Sequence, residues 1–177
     1  LLGVLLFLSA YFSGSETGMM SVNPYRLKHL ANKNHKGAIR VSELLKRPDR
    51  LIGLILIGNN LVNIAAATVT ALIGERLYGD LGLVIAPIAL TLVVLIFSEV
   101  TPKTLAALYP ERVAFPSSFI LKFLLKIFYP FVWALNKVTN GLLNLLGVSP
   151  EKHLGNSLSA EELRTVVYEA GALIPEQ

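Results

Sequence analysis

Cysteine is absent from the 177 residues, which excludes disulfides and thiolate metal sites alike. The histidines, His29, His35 and His153, sit in polar flanking segments without ligand spacing, so they read as solvated side chains rather than metal ligands. No phosphate-binding glycine loop, zinc-hydrolase helix or nucleophile elbow occurs, and the chain is not expected to be an enzyme. Leu1 to Ser9 lacks both the basic start and the small-residue cleavage site of a removable leader. Since the apolar character begins at Leu1 itself, the first helix is expected to have lost its leading turns. Charge is also missing over a long stretch, with none from Leu51 to Gly74.

What is present is hydrocarbon. The hydrophobic share is 53% and mean hydropathy is +0.58. The apolar residues gather in blocks close to the roughly 20 helical residues that cross a bilayer core. The expected fold is an all-α integral membrane domain with three transmembrane helices, over about 1–23, 51–74 and 81–103. Pro24 closes or bends the first of these, and Glu75 to Asp80 makes a polar turn between the others. From Tyr25 to Arg50 the chain turns basic, with Arg26, Lys28, Lys33, Lys36, Arg40, Lys46, Arg47 and Arg50 against Glu43 and Asp49. A short helix is expected there around Ala38 to Lys46, dipping Ile39, Leu44 and Leu45 into the membrane interface.

Residues 113–148 have a different character. They are apolar overall but carry Lys122, Lys126 and Lys137, and their longest charge-free core is too short to span. Lys122 and Lys126 share one helical face, while Phe119, Phe123 and Ile127 share another. Beyond Pro130, Asn136, Asn140 and Asn144 oppose Leu135, Val138, Leu142 and Leu145. Both halves read as interfacial amphipathic helices on the cytoplasmic side, broken at Pro130. Residues 149–177 read as a short acidic cytosolic linker helix. Ser159 caps it, Glu161 and Glu162 suit its first turn, and Gly171 stops it. Its apolar face looks unfinished, so more protein is expected after Gln177.

The positive-inside rule puts the basic loop in the cytoplasm, hence the N-terminus outside and the C-terminus inside. The net charge of +4 sits mainly in that loop and suits anionic lipid rather than nucleic acid.

Each crossing carries one polar cluster, and buried polar groups in a bilayer need a partner, a cavity or an ion. The first runs Ser13, Gly14, Ser15, Glu16, Thr17, Gly18; the second is Gly58, Asn59, Asn60, Leu61, Val62, Asn63. The third is Ser98, Glu99, Val100, Thr101, Pro102, Lys103. Asn59 and Asn63 are four apart and share a helical face, with Asn60 placed to join the rim. Pro102 has no N–H for the Ser98 carbonyl and its ring pushes that carbonyl away, leaving an oxygen beside Glu99. Hydroxyl, amide, carbonyl and carboxylate oxygens together suit a hard cation such as Mg2+. Plainer roles exist for the same residues. Intramembrane Ser, Thr and Asn serve as interhelical glue, and Gly14 and Gly18 with Ala10 make a close-packing face. Glu99 is one turn from Lys103 and can pair with it, while Glu16 can reach interfacial water.

Read in order, FSGSETGMMSV, GNNLVN and SEVTPK resemble three signatures of the membrane domain shared by bacterial CorC and animal cyclin M proteins, a family associated with magnesium transport. The resemblance covers about residues 1–148. It implies a homodimer of three crossings per subunit in the cell (inner) membrane, belted by interfacial helices, with cytosolic CBS domains beyond this chain. It also implies a largely dehydrated Mg2+ held by Ser13, Ser15, Asn59, Asn63 and Glu99, with Ser98 and Pro102 at a gating helix break. Gly14, Glu16, Asn60, Thr101 and Lys103 surround that set, and animal members differ at Ser15, Glu16 and Asn60. The implied function is Mg2+ transport, as efflux coupled to Na+ entry. The alternative is a membrane-anchored sensor that binds the ion without carrying it. The residues themselves fix neither direction nor coupling ion.

Overall fold

The computed structural model describes residues 1–146, and all regular structure in them is helical. In order come α1 (Leu2–Ser21), α2 (Pro24–Asn32), α3 (Lys36–Leu45), α4 (Pro48–Tyr78) and α5 (Asp80–Val93). A π-helical segment (Val94–Val100) then leads into α6 (Thr101–Leu108), followed by α7 (Pro110–Ile127) and α8 (Tyr129–Leu145). The chain divides into two compact units, 1–136 and 137–177. The first holds α1 to α7, the start of α8 and every candidate site residue. Residues 137–146 of the second complete α8 and its closing turn, and the expected Ser159-capped helix lies outside the described residues.

Proline opens helices here more than it ends them. Pro24, Pro48 and Pro110 each lie in a first turn, where a missing N–H leaves no hydrogen bond unmade. Asn23 reinforces the start of α2 by accepting from the amides of Tyr25 (3.0 Å) and Arg26 (3.1 Å). Pro24 was expected only to close or bend the first helix; it also begins a second one. The helix expected around Ala38 to Lys46 is α3, but its apolar face goes elsewhere. Ala38, Val41 and Leu44 are buried in the protein core, where α3 packs on α7, rather than dipping as a set into the interface.

The turn between α4 and α5 is tighter than the six-residue polar turn expected. α4 continues to Tyr78 and α5 starts at Asp80, leaving Gly79 alone at φ +62° to reverse the chain. Gly74 and Gly82 face each other just beyond it. A Cβ on Gly82 would overlap the Gly74 carbonyl, so the two backbones touch at this crossing.

α4, with 31 residues, and the continuous helix from Asp80 to Leu108, with 29, are long and apolar enough to cross a membrane. α1 spans 20 residues but is not among these candidates, its apolar run being interrupted by Ser9, Ser13, Ser15, Glu16 and Thr17. It packs against α4, the π segment, α6 and α7. α7 and α8 meet at 81°, and together they have the length and apolarity of a broken or re-entrant span, which gives two to three candidate crossings. Their bend falls at Phe128, two residues before Pro130. α7 buries Ala114, Ser117, Ser118 and Leu121, while Phe119, Phe123 and Ile127 are exposed.

Replacing Gly82 by Ala should force α4 and α5 apart and lower stability by about 1–3 kcal/mol, as overpacking does elsewhere. Thermal unfolding of the detergent-purified protein measures it. An unchanged Tm would show that this contact is not tight.

Candidate functional site

Three helices each bring a pair of polar residues four apart, which sets both members on one face. On α1 the pair is Ser9 and Ser13; on α4 it is Asn59 and Asn63. The third is Glu99 in the π segment with Lys103 on α6. Ser13 Oγ donates to Glu99 Oε2 at 2.9 Å, and Asn59 Nδ2 donates to Glu99 Oε1 at 3.2 Å. Lys103 Nζ lies 2.9 Å from the same Oε2. Ser9 Oγ is 2.7 Å from Asn63 Oδ1 and 3.2 Å from Asn59 Oδ1. Each of these links except Glu99 with Lys103 joins different helices, so the expected meeting of the asparagine and glutamate clusters occurs here.

The cluster is rich in acceptors. A hydroxyl has one proton, so Ser9 can serve only one of the two amide oxygens aimed at it at a time. Ser9 and Ser13 are fully buried, and the Glu99 side chain is only 21% exposed. One carboxylate is present, and Lys103 supplies its counter-charge. Among the described residues no group of three His, Cys, Asp or Glu side chains gathers. A cation would therefore be held by hydroxyl and amide oxygens around a single carboxylate, a donor set that suits hard ions.

The π segment gives Glu99 its direction. The Thr101 amide bonds to the Ile96 carbonyl five residues back, so the helix continues through Pro102 with one turn widened instead of breaking there. Ser98 does not face the cluster; its hydroxyl donates to the Leu6 carbonyl of α1 at 3.0 Å. Pro102 packs on Gly14, where a Cβ would come 3.4 Å from the proline ring. Gly14 thus lets α1 and α6 approach closely.

Ser15 does not join the cluster. Its hydroxyl donates to Ser117 Oγ of α7 at 3.0 Å, because Ser15 lies about 200° round α1 from Ser13. Asn60 and Thr101 point outward and are exposed. Glu16 is partly buried and lies within electrostatic range of Lys103, whose ion pair is with Glu99. Ser9 was not singled out from sequence, although it stands four residues before Ser13, the spacing that singled out the asparagines. Ser117 gave no such signal.

Removing Ser9 should therefore matter to the cluster, while removing Ser15 should not. Ser15→Ala should cost about 0.6 kcal/mol, the usual worth of an intramembrane hydrogen bond, and leave cation binding unchanged. Ser9→Ala should weaken cation binding. Isothermal titration of both purified variants with Mg2+ distinguishes them, and equal losses in the two would contradict this geometry.

Comparison with known proteins shows the family of the chain. The family described as the cyclin M transmembrane N-terminal domain matches residues 1–175. UPF0053 inner membrane protein YfjD of Escherichia coli K12 is 55% identical over 167 residues, which cover 94% of this chain and 39% of that protein. A UPF0053 protein of Haemophilus influenzae is 51% identical over 174 residues, covering 98% of this chain and 41% of its own length. The polyamine export protein of the same organism is 30% identical over 181 residues, covering 95% and 41% respectively. The chain thus spans about two-fifths of the length of these relatives. With its helical architecture and match over nearly its whole length, the chain belongs to the cyclin M transmembrane domain family, as a multi-pass membrane domain.

Proposed function

We propose that this domain carries Mg2+ across the membrane, with the cation passing through the oxygen cluster around Glu99. The observation that supports it is the gathering of donors from α1, α4 and α6 on one largely buried carboxylate of the π segment. On this reading Mg2+ replaces the Lys103 ammonium at Glu99 Oε2, and Lys103 turns toward Glu16. Ser9 and Ser13 rotate their protons away so that oxygen lone pairs face the ion, while Asn59 and Asn63 offer their Oδ1 atoms. Water fills the rest of the roughly octahedral shell that Mg2+ demands. Lys103 is then an internal competitor that occupies the carboxylate when no cargo does, so Glu99 is never left without a cation partner.

The same reading places the basic 25–50 loop in the cytoplasm and α7 and α8 along that interface. It takes the working unit as a homodimer followed by cytosolic CBS domains, exporting Mg2+ against entering Na+. A second reading is favoured by Lys103 itself. A primary ammonium already sits on Glu99, and one relative is named a polyamine export protein, so an alkylammonium cargo fits the same oxygens. A domain that binds Mg2+ but only signals is the third.

Flux into liposomes loaded with a Mg2+ dye tests the proposal. Glu99→Gln and Asn59→Leu should each reduce flux about tenfold or more, as losses at ion sites commonly do. Unaltered flux in both removes the cargo site. Spermidine flux without Mg2+ flux would select the second reading, and Mg2+ binding without flux the third. Lys103→Met should tighten Mg2+ binding by titration, since the internal competitor is gone; weaker binding would refute the displacement step.

A further inference from the structure

A groove of about 390 Å3 lies apart from the cation cluster, between α1, α4 and α7. Its lining is wholly apolar: Leu54, Ile57 and Leu61 floor it on α4, and Ile120, Leu124 and Phe128 wall it on α7. On α4 the stripe through Leu54, Ile57 and Leu61 continues to Arg50, since residues 50, 54, 57 and 61 fall within about 60° of one another at 100° per residue. Arg50 therefore stands at one end of the groove floor, about 16 Å along the helix axis from Leu61. There its guanidinium lies over the Tyr129 ring, 5.4 Å from the centroid, next to the Phe128 that ends the α7 wall. Among the described residues no carboxylate comes within ion-pair distance of Arg50. Lys46 and Arg47 precede it at the same end of α4.

We propose that this groove binds one acyl chain of an anionic phospholipid, whose phosphate pairs with Arg50. An apolar trough running along a helix and capped by an unpaired guanidinium has the polarity of an amphiphile read from tail to head. Stacking on Tyr129 fixes the flat face of the guanidinium and leaves its edge donors for a bidentate phosphate. The basic residues before α4 add attraction for a negative headgroup and give nothing to a zwitterionic one. A second copy is a poorer occupant. Two-fold symmetry about the membrane normal sets equal residues at equal depth, so it would bring a second Arg50 to the same level.

Native mass spectrometry of the full-length detergent-purified protein, titrated separately with phosphatidylglycerol and phosphatidylcholine, tests this. One phosphatidylglycerol per chain should be retained with about a fivefold preference, the scale set by one interfacial cation. Arg50→Gln should abolish the preference. Leu61→Trp and Ile120→Trp, which fill the groove from opposite walls, should each reduce retention of both lipids, with monodisperse elution confirming folded protein. Equal retention of the two lipids by the unmodified protein overturns the proposal, and so does an undiminished preference in Arg50→Gln. A change of oligomeric state in the Trp variants with lipid retention intact would also overturn it, and would assign the groove to a second copy.

Discussion

A carboxylate among apolar helices has to be compensated, and in this domain the compensation is assembled from separate segments. A charged side chain at the bilayer centre costs up to about 2.5–3.5 kcal/mol on insertion scales. Interhelical hydrogen bonds in membranes average about 0.6 kcal/mol, so Ser13 and Asn59 together do not offset that figure. The Lys103 ammonium neutralises the carboxylate, and its position one turn along the same helix makes it available without any further element. The packing of α1 against α4 and α6 follows from this need, because only there do Ser13 and Asn59 reach Glu99. Gly14, which admits Pro102, is what allows the helices to close to that distance.

Much of this was legible in the sequence because it rests on periodicity. Runs without charge gave the apolar helices, and the four-residue spacing of Asn59 and Asn63 gave a shared face. What escaped was information about the partner. Ser13 and Ser15 are chemically alike and two residues apart, yet one reaches Glu99 and the other Ser117, because a helix turns them to opposite sides. Sequence shows the difference in direction but not which direction holds the site. Ser9 was overlooked for the converse reason: a lone serine in a leucine-rich stretch looks like an interruption until its opposite residues are known.

Proline was misjudged in a related way. Pro24 opens a helix as well as following one, since Asn23 before it satisfies the amides that a new first turn exposes. Pro102 sits in a first turn as well, but there the preceding helix runs on through a π segment. At Pro24 the missing donor falls where no bond is needed, while at Pro102 one widened turn carries the helix past the ring without breaking it. The apolar side of α3 shows a parallel limit. Amphipathicity predicts that a face is covered, and the cover here is α7 rather than lipid headgroups.

The glycine crossing just beyond Gly79 has a mechanical corollary. Backbones in direct contact at Gly74 and Gly82, joined by a one-residue reversal, couple the helix bearing the asparagines to the one leading to the glutamate. Both asparagines and the carboxylate thus ride on a single lever, and the serines ride on α1. Sliding one of these two bodies past the other would separate the Ser13 hydroxyl from the carboxylate while leaving Asn59 and Glu99 in register.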